Sequence, residues 1–531
     1  MPNSATETTS SWKRQTALLV ILCCATGLYS LWRGTDANWD LRNYHLYSAY
    51  AFLNGRIGFD IAPGQLQSYF NPLSNLPIYA LVRLLNDHPR AVAFLMGAPA
   101  GIYAFALSGI SLLMARWAFG PGLMAPLAAI VATLAGMTGA AVMPGIGMSA
   151  NDVAIATFVM LALWAVLRAA EIGPQAFPRI WPMTATAGLL AGAALGLKLT
   201  NIIYVAPLGL TILAFLGLRH AIIAATGMVV GFIVCWAPQA MLLWREFGNP
   251  VFPLYNDIFA SPDYRRAGIA DLRFLPRSTL QAVFYPFYWL RENAEMVTEL
   301  RMRDSRVAIG YLAALVLIVD LLRHGLHQAW KNERPTLILL CFSVMTYVIW
   351  VRLFGIYRYL LVLESLSVVL AMLALARLLA SRKVLAFGSF AGLMLLASLT
   401  TQRPDWGHVA YGARVVSFDP VPDVPAGSML IMIGDEPMSY VIPFLPADIR
   451  ALGHANNLMR LTDDHGLARR GREALAGHTG PIRLLAQPSL TPDAIEASLA
   501  PLGLRLGACS LLRSNIEPGG HRLCELSRTG G

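Results

Sequence analysis

Between Thr16 and Thr400 the chain alternates long apolar runs with short polar breaks; from about Pro404 onward, charges recur every few residues between short apolar runs. A hydrocarbon core of roughly 30 Å takes about 20 apolar residues per crossing helix. About eleven such runs can be placed, near 16–33, 91–115, 119–141, 151–169, 181–197, 199–218, 220–243, 307–323, 335–352, 357–380 and 384–400. Helices are the expected form, because in lipid each backbone N–H and C=O must find a partner within its own segment. The expected organisation is therefore a tail over 1–15, an all-α polytopic membrane region over 16–400 with long outer loops at 34–90 and 244–306, and a domain over 401–531. Within that last part, apolar runs 428–434, 481–487 and 504–513 alternate with helix-like stretches at 465–477 and 491–503, which reads as a small α/β domain. In the second outer loop, Leu280 to Leu290 reads as interfacial rather than spanning.

Composition agrees: 56% of the 531 residues are hydrophobic and 14% are charged, which excludes ordinary soluble globular usage. The net charge of +10 does not call for a nucleic-acid partner, because basic residues gather in the cytoplasmic loops of membrane proteins. The first run follows Lys13 and Arg14 as in a signal peptide, but no small-residue cleavage site follows it, so it reads as a retained anchor. With the N-terminus in the cytoplasm, Arg116, Arg168, Arg179, Arg219, the 323–334 segment, Arg377, Arg382 and Lys383 all fall inside. Outside fall the two long loops, Pro144 to Asn151 and everything after Thr400. Cys23, Cys24, Cys235 and Cys341 lie in apolar spans as small buried hydrophobes. Cys509 and Cys524 flank a Pro-Gly-Gly turn in the exported tail, where an oxidising compartment lets them pair as a disulfide. No Cys/His spacing suits zinc, and there is no Walker loop or dinucleotide fingerprint.

The acids and cations near the outer ends of the spans are the candidate chemistry. If the first outer loop is helical from Asp36, then Asp36, Asp40, Tyr44 and Tyr47 share one face. Asp36 also reads as the N-cap of that helix, Asp40 as a solvated surface acid, and His45 as a hydrogen-bonded interfacial residue or a ligand. Asp152 opens the fourth span with apolar sequence directly after it. It either suits the positive end of the helix dipole or marks a functional site, as ionisable groups at membrane depth do. Lys198, at the outer end of the fifth span, either snorkels to the interface or holds an anion. Arg352 and Arg358 in RLFGIYRY break the positive-inside trend, as do Arg265, Arg266, Arg273 and Arg277; cations held there suit a lipid phosphate.

In this order the pieces resemble the GT-C superfamily of membrane glycosyltransferases, which includes protein O-mannosyltransferases and aminoarabinose transferases, over roughly residues 16–400. The resemblance rests on five stretches. WDLRNYHLYSAYAFLNGR carries Asp40, Tyr44, Ala49, Gly55 and Arg56; YFNPLSNLPIYAL is a Pro-aromatic stretch entering the second span; Asp152 opens a later span; GLLAGAALGLKLT ends in Lys198; and Arg358, Tyr359 and Leu360 come late. GNPVFPLYN, Gly248 to Asn256, is similar to loops in bacterial members.

The resemblance implies an inverting hexosyl or pentosyl transferase of the bacterial inner membrane and cell envelope. Such an enzyme moves sugar from a polyprenyl-phosphate carrier to a lipid, polysaccharide or protein acceptor at the periplasmic face. It further implies Asp40 as general base, Asp152 as its helper or acceptor holder, and Asp36, Tyr44, His45, Lys198, Arg352, Arg358 and Tyr359 as substrate-binding residues. The usual Asp-Glu pair is here Asp40 followed by Leu41, so a divalent cation, Mg or Mn, stays open. Two rivals remain: a transporter or flippase of a lipid-linked glycan, which would show helices broken at mid-membrane, and a membrane scaffold, which would need no acids at the rim.

Overall fold

A computed structural model describes residues 4–291, 295–324, 330 and 333–529. Part of the basic 323–334 segment, residues 1–3 of the N-terminal tail, 292–294 of the second outer loop and 530–531 lie outside the described residues. The chain forms two compact units, 1–30 with 97–235 and 271–405, and 31–96 with 236–270 and 406–531.

The first unit is helical. Across the chain, ten helices among the described residues are long and apolar enough to cross a membrane, from Trp12–Arg33 to Lys383–Thr400. The remaining expected span, 119–141, forms only the 14-residue helix Met124–Met137. At about 1.5 Å per residue it reaches about 21 Å, short of the roughly 30 Å core. At one end Lys383 Nζ donates to the Phe119 carbonyl (3.0 Å), and at the other Arg306 Nε donates to the Ala135 carbonyl (2.8 Å). Pro99, Pro182, Pro207 and Pro238 each lie inside an unbroken helix.

The glycine-rich run before Lys198 is a helix contact. Gly188 and Gly192 lie against backbone atoms of Ala224 and Met228, and Gly227 and Gly231 lie against Ala185 and Leu189, so neither helix has room for a Cβ at these positions. Small residues of this kind let membrane helices approach until their backbones touch. The interfacial stretch is the ten-residue helix Thr279–Tyr288, capped by Ser278 Oγ, with Leu280, Val283 and Phe284 exposed and Tyr285 buried.

The second unit is built on a six-stranded sheet. Its strands follow a two-stranded pair, β1 (Thr35–Asp36) with β2 (His408–Val409), and run β3 (Phe418–Asp419), β4 (Met429–Ile433), β5 (Arg450–His454), β6 (Ile482–Ala486), β7 (Leu504–Ser514) and β8 (Glu517–Arg528). In space the order is β3-β7-β8-β6-β4-β5. β4, next to the edge strand β5, pairs in parallel with β5 and β6, and every one of its residues is buried, as a parallel strand covered on both faces requires.

Because side chains alternate along a strand, two cores result. Leu430, Met432 and Leu485 pack with Leu41, Leu46, Tyr47 and Ile78; Met429, Ile431 and Leu484 pack with Leu467, Ile495, Ile61 and Phe252. Segments 31–96 and 236–270 thus share cores with the C-terminal sheet. Helices Gly466–Ala476 and Pro492–Leu499 coincide with the expected helical stretches.

A buried ion pair ties the loop that carries Arg56 to this sheet. Arg56 donates twice to the Asp60 carboxylate (2.7 and 2.8 Å) and to the carbonyls of Ala447 and Ile449 (2.8 and 2.6 Å). Asp60 also accepts from Tyr47 OH (3.1 Å) and Ala451 N (2.9 Å). Burial pushes the Asp60 carboxyl up, and Arg56 opposes that. In the β7–β8 hairpin, Cys509 and Cys524 face each other in register and are bonded (Sγ–Sγ 2.03 Å). The turn falls at Asn515 and Ile516, where Ser514 Oγ accepts the following amides; Pro518, Gly519 and Gly520 lie within β8, so the expected Pro-Gly-Gly turn is corrected.

Asp60→Ala leaves the buried Arg56 without its counter-ion and is expected to cost about 3–5 kcal/mol, read by thermal or denaturant unfolding of the purified protein. A second expectation concerns His521, which is buried against Tyr440, its Nε2 3.2 Å from the phenol oxygen. Burial, with the Arg42 charge adding to it, pushes its pKa down to about 4. A depressed histidine stabilises fully above its unfolded value of about 6.5, and that stability is lost as pH falls towards 4. The loss reaches about 3 kcal/mol, and His521→Gln should flatten that part of a stability-against-pH curve.

Candidate functional site

The candidates fall in both units. In the first unit, three chain segments meet at one end of the bundle. Asp152 is the first residue of the Asp152–Ile172 helix, after Asn151 in the left-handed region (φ 63°). Lys198 follows the last turn of the Phe177–Leu197 helix in extended conformation (φ −150°, ψ 108°), which turns its side chain out of the helical register. Tyr357 to Leu360 form a 3-10 turn before the Leu361–Leu378 helix.

The Lys198 ammonium donates to the Asp152 carboxylate and lies 5.2 Å from the centre of the Tyr359 ring. The Arg358 guanidinium stands 5.5 Å from the same ring, and Tyr204 OH donates to the Tyr359 carbonyl. Side-chain exposure of 22% for Lys198 and 13% for Asp152 leaves the pair partly open to solvent. The first-turn position of Asp152 suits the helix dipole, and its carboxylate is at the same time engaged by Lys198. Lys198 is therefore held by a carboxylate and a ring face and does not simply snorkel. Arg352 is exposed in the last turn of the Arg334–Leu353 helix.

The loop leading to Asp152 is held from below. Three successive amides are taken up by two buried carboxylates: Ala140 N donates to Asp304 (2.9 Å), and Ala141 N and Val142 N donate to Glu364 (3.0 and 3.2 Å). Asp304 is paired with Arg306 (2.7 Å), whose remaining donors reach Ala135 O, Thr138, Ser398 and Thr401 at 2.8–3.0 Å. Sequence reading missed Glu364, although the signal was there: a single acid in the otherwise apolar LVLESLSVVL.

In the second unit, Asp36 lies in β1 and not on a helix. Its oxygens accept from Asn38 N (3.1 Å) and Nδ2 (2.7 and 2.9 Å), while Asn38 Oδ1 accepts from Leu41 N (2.9 Å). The cap expected of Asp36 is thus made by Asn38, which Asp36 holds in place. Helical structure begins at Trp39, and residues 41–45 form a π-helix, so an α-helical stripe of Asp36, Asp40, Tyr44 and Tyr47 does not exist. Such π segments interrupt the 3.6 period and often occur at functional sites. Asp40 is half-buried in the first turn; Tyr44 meets His45 (4.3 Å) and Phe70 (5.8 Å) edge to face, and His45 is buried.

Two further motif elements have structural explanations here. YFNPLSNLPIYAL does not enter the second span but forms a separate helix, Leu76–Leu85. In GNPVFPLYN, buried Asn249 and Asn256 bond to each other (3.3 Å), and Asn256 Nδ2 also bonds the carbonyls of Ser261 and Tyr264. Among the described residues no three His, Cys, Asp or Glu side chains gather closely enough to hold a metal ion.

This is an all-α polytopic membrane protein with a GT-C-like fold and an α/β sheet domain. Among solved structures it matches ArnT from Cupriavidus metallidurans in the apo state, at 14% identity and a TM-score of 0.50, over 98% of this chain and 99% of that one. The same protein bound to undecaprenyl phosphate matches at 13% identity and a TM-score of 0.50, over 97% and 98%. No family model and no curated protein matches the chain.

If Asp152 is what holds Lys198, Asp152→Asn should raise labelling of the Lys198 amine by a water-soluble acylating reagent several-fold, read by peptide mass spectrometry. Unchanged labelling would mean that the pair does not form in solution.

Proposed function

We propose that this protein is a glycosyltransferase of the bacterial inner membrane that takes a sugar from a polyprenyl-phosphate carrier and transfers it to an acceptor at the periplasmic face. The observation that carries the reading is the meeting of Asp152, Lys198, Tyr359 and Arg358 at one end of a GT-C-like helical bundle. Support also comes from the likeness in fold to ArnT, one of whose structures has undecaprenyl phosphate bound. The sidedness rests on charge: Arg116, Arg168, Arg377, Arg382 and Lys383 lie towards the other end, the cytoplasmic one by the positive-inside rule, with the N-terminus.

A lipid-phosphate sugar carries its own activation, so no nucleotide is needed. In the proposed displacement the acceptor oxygen bonds to the anomeric carbon as the bond from that carbon to the phosphate oxygen breaks, with inversion. The acceptor proton goes to the carboxylate that the resemblance assigns as base, Asp40. Lys198 and Arg358 stabilise the departing phosphate, where charge develops. Asp152 holds the Lys198 ammonium in place, so a phosphate arriving there meets a cation that is already oriented. The resemblance also assigns substrate binding to Tyr44, His45 and Asp36, and to Tyr359 and Arg352. Among the described residues no three His, Cys, Asp or Glu side chains gather as a metal site, and the displacement is written here with side chains alone.

The test is transfer of labelled sugar from polyprenyl-phosphate donors to lipid, polysaccharide and protein fractions of cell envelope by purified protein. Asp40→Asn is run beside wild type, with folding checked by thermal unfolding. Removing a general base costs about 10²–10⁴-fold, so transfer should fall by that factor in the variant. Equal transfer by both would remove Asp40 from the role. Absence of transfer with every donor would sink the enzyme reading and leave that of a carrier.

A further inference from the structure

Glu364 is completely buried one turn after the Arg358 and Tyr359 turn, and its two oxygens serve two different parts of the candidate site. Oε1 accepts from Tyr357 OH (2.8 Å) and Ala141 N (3.0 Å); Oε2 accepts from Val142 N (3.2 Å) and again from Ala141 N (3.3 Å). Tyr357 is the residue before Arg358, in the turn that carries the Tyr359 ring. Ala141 and Val142 begin the stretch that runs through residues 143–151 to Asp152. The room for this carboxylate is made by Gly139, since a Cβ there would fall on Glu364 itself. The neighbouring amide, Ala140 N, goes to Asp304, whose charge Arg306 balances.

We propose that Glu364 is a positioning residue that sets the separation between Asp152 with its Lys198 and the Arg358–Tyr359 turn, by clamping both supporting segments with one carboxylate. This rests on the transferase reading for its consequence, donor-phosphate binding, but not for the clamp. A glutamate accepts from all three donors at once. A glutamine has a single acceptor oxygen, and its NH2 faces donors, so Glu364→Gln leaves at least one of the three N–H or O–H groups unpaired. An ordinary structural carboxylate would, when replaced, lower the amount of folded protein without changing the affinity of what remains. A clamp shared by two segments must loosen both together and weaken binding.

The experiment uses the full chain in lipid nanodiscs, with hydrogen–deuterium exchange read by mass spectrometry and undecaprenyl phosphate as the binding probe. Glu364→Gln should speed exchange at 140–142 and at 356–360 together, while the remainder of Arg334–Leu353 and Leu361–Leu378 stays protected. It should also raise the Kd for undecaprenyl phosphate about tenfold, the equivalent of one charge-assisted hydrogen bond. Glu364→Asp, which keeps the charge, should recover part of that affinity. Tyr357→Phe removes one donor, leaves the loop amides bonded and is the variant that should fold normally; it should speed exchange at 356–360 alone and raise Kd by a smaller factor. Exchange that changes in only one segment of Glu364→Gln, or in neither, overturns the clamp, and unchanged Kd with both segments loosened overturns its part in positioning. If the wild type binds no undecaprenyl phosphate, the transferase reading is what fails, and the exchange result alone decides the clamp.

Discussion

Three consecutive backbone N–H groups, those of Ala140, Ala141 and Val142, end on two carboxylates that have no contact with water, Asp304 and Glu364. An unmet N–H or a lone charge in such surroundings costs several kcal/mol. The arrangement removes both problems: the carboxylates need donors, and a chain leaving a helix has amides to offer. Arg306 then balances Asp304 and spends its remaining N–H groups on Ala135 O and the hydroxyls of Thr138, Ser398 and Thr401. A non-helical stretch is thereby held as firmly as a helix would be, and its far end carries Asp152.

The same logic governs the charged groups of the second unit. Arg56 and Asp60 satisfy each other and four further groups, so the long loop that carries them is fastened to the sheet by hydrogen bonds as well as by apolar burial. The alternation of side chains along β4 and β6 then gives two faces to be covered, and segments distant in sequence cover them. Arg56, part of the motif that carried the resemblance, has a structural duty here.

How much was legible differs from element to element. Long apolar runs gave the spans because lipid imposes a length and demands helices; only 119–141 fell short, ending as it does where the chain turns onto the carboxylates. In the C-terminal part β4, β6, β7 and the two helices were legible from short apolar runs and periodicity, whereas β3, β5 and β8 were not singled out. At the site, Asp152 and Lys198 could be singled out as ionisable groups at span ends, but nothing in their 46-residue separation said that they bond to each other. The Asp36 helix start was misplaced because Asn38, two residues on, accepts the N-terminal amide with equal facility, and only the local fold decides between them. Glu364 was overlooked for a different reason: its importance lies in what it touches, not in its spacing.

By itself, then, the sequence determined the solvent of each segment, since burying or exposing apolar side chains is a property each residue carries with it. It determined where most of the spanning helices lie and three of the six strands of the larger sheet. Tertiary structure alone decided which carboxylate meets which donor. Lys198 reaches Asp152 and the Tyr359 ring, Arg56 reaches Asp60 and two distant carbonyls, and Glu364 joins Tyr357 to Ala141 and Val142. The physical reason is that hydrogen bonds and ion pairs act over about 3 Å between groups far apart in the chain. Residue type tells that a partner is required; only the packing of the helices and the sheet tells which one is there.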